Sequence, residues 1–517
     1  MPIRYARGGT AGRPNLIWLF PDEWRHDAAG YAGNAVVHTP SLDALASRGV
    51  AFTNVTCESP LCQPSRASVL TGRFPHHHGK THNDWDPDAD IADDTEAGLS
   101  AAGRPLELLN RVMPHTPFPT ADEDNILHRL RAAGYLTSAV GKMHFDPGTP
   151  LTEYGFDDVA EEHDKHLLMD PAVETGYTSY LAARGLLETW RAHEREQTKI
   201  MMGMDPLGRV ALPEALAPDD TLDAYIARTA CERIATYARD GQPFFLWVGF
   251  VGPHAPYDGM SPYADRYDPD TIPMGPLGFD AFTDNSWGEY CRYIVEFMNS
   301  AQYTEVDYRL MAKHYYARIS LIDDQIARIV GAVDQAGIAD NTWFVFSSDH
   351  GELLGDHGLI TKAVFYETSV RVPGLVVPPR GGAAGPSAGA SGTADDISGS
   401  AASLAGIRVA DFIQAMDLPV TMLELAGADT SGLDAVPLIS DGKLNVPARE
   451  AAFSEIGVFT MVTTHDAKLV VESATLEPQA CYDLRNDPYE RHDLVAAGGH
   501  HDLVNRHVGL IKEHLSD

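Results

Sequence analysis

Short apolar runs alternate along the chain with segments of helical period. LIWLF (16–20), YLTSAV (135–140), FFLWVGF (244–250) and WFVFSS (343–348) are rich in β-branched and aromatic residues and too short for helices. They read as strands buried inside a sheet. Between them, SLDALASRGV (41–50) places Leu42, Leu45 and Ala46 on one helical face, with Ser41 as its N-cap. Thr120 and Glu123 form a capping box ahead of Ile126, Leu127 and Leu130. ADFIQAMDLPVTMLELAGA (410–428) has helical patterning on either side of Pro419. Strands alternating with helices predict an α/β domain built on a large, mainly parallel sheet flanked by helices.

The pattern changes towards the C-terminus. Residues 380–406 shift to Gly, Ala and Ser and read as a flexible low-complexity loop. Beyond about residue 430, strand-like runs such as KLVVES (468–473) precede the helix-like NRHVGLIKEHL (505–515). The division expected is a catalytic domain over 1–430 and a smaller α+β subdomain over 431–517. The terminal helix carries an apolar stripe at Val508, Ile511 and Leu515 that offers a contact surface, and a homo-oligomer is expected.

Composition narrows the field. A chain of 517 residues suggests one large domain with a smaller one. Its formal net charge of -34 argues against nucleic acid or an anionic membrane as partner. A local cationic pocket for a small anion remains compatible with that acidity. Cys57, Cys62, Cys231, Cys291 and Cys481 are an odd, scattered set rather than a disulfide framework or a CxxC zinc pattern. The first residues, MPIRYARGGTAGRPN, contain no apolar signal core, and no run approaches membrane-spanning length. A soluble, cytoplasmic protein is the expectation.

Each predicted strand runs into unusual polar residues. LIWLF is followed by Asp22 and Glu23, YLTSAV by Lys142 and His144, FFLWVGF by His254, and WFVFSS by Asp349 and His350. Open α/β sheets bind ligands at the carboxyl ends of their strands, so the four groups are expected on one face. Asp22, Glu23, Asp349 and His350 suit a divalent cation, the carboxylates favouring Ca²⁺ or Mg²⁺ and the imidazole shifting the balance towards Mn²⁺ or Zn²⁺. Arg66, Lys142, His144, His254 and Lys362 suit an anion. A metal beside an anion pocket fits phosphoryl-like or sulfuryl-like group transfer. Taken singly, each residue has an ordinary reading as a cap, a turn residue or a solvated lysine. Four strand ends at once make that reading improbable.

The segment CQPSRASVLTG (62–72) matches the pattern C-x-P-S-R-x-x-x-L-T-G. GYLTSAVGKMHF (134–145), GPHAP (252–256), SDHGELLGDHGLITK (348–362) and CYDLRNDPYERHDL (481–494) follow in order. In these motifs the chain resembles the formylglycine-dependent sulfatases of the alkaline phosphatase superfamily, including the arylsulfatases and the related phosphonate monoester hydrolases. The resemblance implies an alkaline phosphatase-like fold. It implies that Cys62 is oxidised after synthesis to formylglycine, by a formylglycine-generating enzyme, and that the hydrated aldehyde is the nucleophile. It assigns Asp22, Cys62 as formylglycine, Asp349 and His350 to one divalent ion, Ca²⁺ or Mn²⁺. Glu23 stands where the family has an aspartate or an amide, so its coordination is open. Arg66 would hold the diol and metal cluster, and Lys142 and Lys362 would bind substrate oxygens. His254 would protonate the leaving oxygen, and His144 would help open the hemiacetal. Asn83, 21 residues after Cys62 (83 − 62), stands where some relatives carry a substrate-binding asparagine.

The Lys142–His144 pair favours a sulfate ester over a phosphonate, because the phosphonate hydrolases tend to carry hydroxyl residues there. Both ester types present singly charged oxygens, so activity on phosphonate monoesters and phosphodiesters is expected beside sulfatase activity. Phosphonate monoester hydrolysis as the main activity, and an unconverted anion-binding pseudoenzyme, are the alternatives. Segments 151–242 and 255–310 are expected to line the pocket for the organic group, with Trp190, Tyr257, Trp287 and Tyr290 as candidates for an aryl-binding wall.

Overall fold

A computed structural model describes residues 12–83, 111–114, 116–201, 205, 207–278, 282–380 and 404–516. Residues 381–403 of the Gly/Ala/Ser-rich stretch lie outside this set.

The four apolar runs form β1 (Asn15–Leu19), β3 (Leu136–Lys142), β5 (Phe244–Gly249) and β6 (Thr342–Ser347). They belong to a nine-stranded sheet with β2 (Val50–Thr56), β4 (Asp158–Glu162), β7 (Arg371–Val377), β8 (Ile407–Val409) and β9 (Ile413–Gln414). The order is β4-β3-β5-β1-β6-β7-β2-β8, with β9 also paired to β2. Every ladder is parallel except those made by β7, which runs against both β6 and β2. Alternate residues of one strand enter different cores. Leu16, Trp18 and Phe20 pack on one face, and Ile17 and Leu19 on the other. Burial on both faces is why these strands read as unbroken apolar runs.

Helices cover both faces. The long α6 (Glu305–Gln335) and α5 (Leu222–Asp240) lie together on one side. On the other, α2 (Cys62–Thr71) buries Ala67, Val69 and Leu70. At the carboxyl ends of β3 and β5, Gly141 and Gly249 face each other. A Cβ on either would lie 2.1 Å from the opposite strand's carbonyl oxygen, so only glycine lets the strands close there.

Three predicted helix starts are displaced. The first helix, α1 (Pro40–Ala46), begins one residue before Ser41, and the Asp323 carboxylate of α6 accepts the Ser41 and Leu42 N–H groups at 2.9 Å. An acidic side chain from another helix thus does the capping expected of Ser41. Thr120 and Glu123 close a separate turn, while Asn125 caps α4 (Ile126–Ala132) by accepting from Leu127 and His128. Before Asp417 the chain holds the short strand β9, not helix. Pro419 sits in the first turn of α7 (Asp417–Ala426), where a missing N–H costs no intrahelical bond.

The C-terminal region is an antiparallel meander of β10 (Ala452–Ile456), β11 (Phe459–Thr463), β12 (Ala467–Glu472) and β13 (Glu477–Asp483), covered by α8 (His501–His514). One face, with Val462, Leu469, Val471 and Cys481, packs under Val504 and Ile511 of α8. The opposite face, with Phe459, Met461 and Val470, joins the main core. Val508 and Leu515 pack on the same cluster as Ile511, so the apolar stripe read as an oligomer contact covers its own sheet. The DPYE segment (487–490) docks this region: Glu490 Oε1 pairs with buried Lys468 at 2.6 Å, and its Oε2 accepts the Glu367 N–H at 2.8 Å.

Glu58, just ahead of α2, is fully buried and accepts from the Met416 N–H at 2.9 Å. Its Oε2 has no hydrogen-bond partner. Burial raises its carboxyl to about 7, against the hydrogen bonds from Met416 and Gln414. A carboxyl raised on folding contributes stability that is complete below its unfolded value and is lost as pH rises through the folded one. Urea midpoints of the wild type should therefore fall between about pH 4.5 and pH 7 relative to Glu58→Gln. Parallel pH profiles for the two proteins would contradict this.

Candidate active site

The strand-end groups converge as expected. Cys62 is the first residue of α2, whose preceding residue, Leu61, provides no side-chain cap. Asn83 caps in its place: its Oδ1 accepts the Gln63 N–H at 2.9 Å. The Cys62 Sγ lies 3.2 Å from His350 Nε2. Asp22, Cys62, Asp349 and His350 each offer a ligand atom, all within 4.8 Å of one another and all buried.

Arg66, one turn along α2, is buried at 0% exposure and reaches both carboxylates. Its Nη2 lies 3.1 Å from Asp22 Oδ2 and 2.9 Å from Asp349 Oδ2, and its Nη1 donates to the Lys142 carbonyl at 3.1 Å. Asp22 keeps its other oxygen, Oδ1, buried without a hydrogen-bond partner. Burial and the adjacent Cys62 thiolate oppose its ionisation, but Lys142, His254 and Arg66 hold it at about 2. The Cys62 thiol itself lies well below its ordinary range. Burial works against that, and Lys362, His350 and Lys142 outweigh it.

A cationic rim surrounds the cysteine. Lys362 Nζ lies 2.5 Å from His254 Nε2 and 3.1 Å from Glu23 Oε2. Glu23 thus faces these cations, with His254 Nε2 3.3 Å from the same oxygen. Burial pushes its carboxyl well up; Lys362 opposes this and neighbouring Glu352 adds to it. His254 Nδ1 is 2.5 Å from the Ala255 carbonyl, which fixes Nδ1 as the protonated nitrogen and leaves Nε2 to accept from Lys362. Several backbones here are left-handed without being glycine: Glu23 (φ 65), His144 (φ 57), Thr361 (φ 62) and Ala363 (φ 80). Such strain concentrates where a side chain must be aimed.

Asp164 was not legible in the sequence. Its Oδ1 lies 2.5 Å from Lys142 Nζ, and its Oδ2 3.7 Å from His144 Nδ1. Lys142 also pairs with Asp22, so it bridges the metal-type quartet and Asp164. Asp164 follows β4, and the strand-end rule would have found it had β4 been recognised. DVAEE is an edge strand, half-buried and polar, without the apolar run that marks the inner four.

The aryl wall is corrected in part. Trp190 packs in the core against Tyr177, and Trp287 against Phe365 and Phe459, with Tyr290 beside it. Tyr257 is buried in the core as well, and it also lines a narrow apolar crevice with Ile200, Met201, Val210 and Met311. The crevice draws on both predicted segments, and its lining residues Pro256 and Ile360 stand two residues from His254 and Lys362.

The sulfatase family model matches residues 14–428. The chain belongs to the sulfatase family. It is a sulfuric ester hydrolase with the alkaline phosphatase-like fold. It is 26% identical over 500 residues to a choline-sulfatase of Rhizobium meliloti (strain 1021), covering 94% of this chain and 83% of that one. It is 28% identical over 372 residues to an arylsulfatase of Clostridium perfringens (strain 13 / Type A), covering 71% and 69%. The phosphonate monoester hydrolase of Agrobacterium radiobacter shares the fold, with a TM-score of 0.70 at 24% identity over 98% of this chain and 95% of that one. Among the described residues, no helix is long and apolar enough to cross a membrane.

The geometry makes Asp164 the anchor of Lys142. Asp164→Asn in the sulfatase should lower kcat/KM by about 10- to 100-fold, as loss of a charged orienting partner does, with a circular-dichroism melt close to wild type. Unchanged kinetics would contradict this.

Proposed function

We propose that the sulfatase hydrolyses small sulfate monoesters through a formylglycine made from Cys62. The observation that carries the reading is the place of Cys62: first residue of a buried helix, 3.2 Å from His350, its thiol drawn down by Lys362 and Lys142. A helix N-terminus and two ammonium groups suit an anion whose reacting atom must meet residue 62. In this structure the thiol sulfur stands where the hydrated aldehyde's hydroxyls would be.

Asp22, Asp349 and His350, with residue 62, fit one divalent cation, Ca²⁺ or Mn²⁺. The buried Asp22 Oδ1 has no hydrogen-bond partner, and two of the quartet's four donors are carboxylate oxygens. Bound there, the ion would offset the anionic cluster and polarise a non-bridging ester oxygen. Arg66 keeps Asp22 and Asp349 oriented by spanning both. Lys142 and Lys362 bind the ester's non-bridging oxygens, where transition-state charge collects. As Lys362 turns to the substrate it releases His254 Nε2, which in its protonated form delivers a proton to the leaving oxygen. His144, across from Asp164, takes the proton whose loss from residue 62 expels sulfate. Glu23 sets the resting position of Lys362 and His254. Asn83 holds the N-terminus of α2.

Sulfate monoesters, phosphodiesters and phosphonate monoesters present similar singly charged oxygens, and the pocket's cations address that shared group. Activity on all three is proposed, with sulfate preferred because Lys142 and His144 are both present.

Two variants test this. Cys62→Ala should retain inhibitory sulfate binding and lose kcat by at least about 1,000-fold, as removal of a nucleophile does. His254→Asn should slow aryl sulfates with poor leaving groups far more than those with good ones, because only the former require protonation. Wild-type turnover by the alanine variant, or an equal loss across the leaving-group series, would overturn the assigned roles.

A further inference from the structure

Away from the reaction centre, three elements bring a second set of metal-ligating side chains together. His76 lies in the short helix α3 (Pro75–His78), Glu455 in β10 and His514 at the end of α8. His76 Nδ1 is 2.7 Å and His514 Nε2 2.8 Å from the same atom, Glu455 Oε1. Glu455 Oε2 accepts the His76 backbone N–H at 2.9 Å, which fixes the carboxylate's orientation. The three ligating atoms lie within 4.8 Å of one another. Both rings are held by aromatic neighbours. His514 stacks on Phe453 at 4.0 Å and 3°, and meets Phe74 edge-on at 4.4 Å. His76 stacks on Phe74 at 5.9 Å and 15°.

We propose that His76, Glu455 and His514 form a structural site for one Zn²⁺ ion, independent of the catalytic quartet. Two imidazoles with one carboxylate are a zinc-type donor set, whereas Ca²⁺ and Mg²⁺ prefer oxygen throughout. Tetrahedral zinc bonds of about 2.0–2.2 Å place neighbouring ligand atoms about 3.3 Å apart, so binding requires each contact to open by about half an ångström. The His76 side chain is 19% exposed, which leaves access for a water as fourth ligand. The ion would fasten α8 and β10 to the segment directly after α2, closing the C-terminal region onto the layer that carries residue 62. The metal-free contacts satisfy a carboxylate between two imidazole N–H donors. On zinc binding each ring's proton moves to its other nitrogen or to solvent, and the carboxylate oxygen passes from the two N–H donors to the ion.

The test uses full-length Cys62→Ala/Asp349→Ala protein, in which the catalytic quartet lacks two of its four donors. After stripping with a chelator and dialysis against Zn²⁺, elemental analysis should find one zinc per chain. Co²⁺ should give the visible absorption of a tetrahedral complex. Glu455→Gln, which keeps the side chain's shape, and His514→Phe, which keeps its aromatic stacking, should each weaken Zn²⁺ binding at least about 100-fold in that background. Should the background fail to fold, the wild-type chain loaded with Ca²⁺ should take up one Zn²⁺ beyond it, lost in Glu455→Gln. Absence of retained zinc, or equal zinc affinity in wild-type and variant clusters, would overturn the site.

Discussion

The structure depends on a single buried guanidinium. Arg66 has no exposed surface and ties Asp22 beyond β1 to Asp349 beyond β6 while holding the last carbonyl of β3. Removing a charge of this kind from water costs several kcal/mol, and only close, well-directed partners offset it. The planar fork of arginine meets that condition by reaching two carboxylates and a carbonyl at once. Arg66 sits one turn from Cys62, so the same contact fixes where α2 begins relative to three strand ends. The position of residue 62, the orientation of the two carboxylates and the placing of α2 against the strand ends are in this sense one constraint.

That constraint accounts for the sign pattern of the molecule. A chain with a net charge of -34 encloses a pocket in which Lys142, Lys362 and Arg66 stand around the cysteine. Each cation has a buried carboxylate: Asp164 and Asp22 for Lys142, Glu23 for Lys362, and Asp22 and Asp349 for Arg66. The cations are thereby held without collapsing onto one another, ready for an anion that brings no counter-charge of its own. The aiming is visible in the backbone, where residues at or beside the pocket adopt left-handed conformations that only surrounding packing sustains.

The inner strands and the convergence of their ends were legible because burial on both faces imposes unbroken apolar runs and because polar residues in such ends have few ordinary uses. Where a long-range partner decides the outcome, the local pattern misleads. Ser41 looked like a cap, but Asp323 from α6 accepts those N–H groups. The stripe on α8 looked like an intermolecular surface and covers its own sheet. Trp190, Trp287 and Tyr257 are all aromatic for the core, and nothing local marks Tyr257 as the one that also lines the crevice. Asp164 remained hidden because the edge strand before it is polar. Lys142 needed a partner, however, and a buried lysine at a strand end is itself a signal to search for one.

The central claim is that residue 62 is chemically altered before it acts. Mass spectrometry of the peptide covering residues 61–72 tests it most directly, on protein made with and without a formylglycine-generating enzyme. The converted peptide should be about 18 Da lighter than the encoded one, the exchange of thiol for aldehyde. Sulfate-ester turnover should rise in proportion to the converted fraction. Full turnover from protein whose residue 62 is entirely unmodified cysteine would contradict the account.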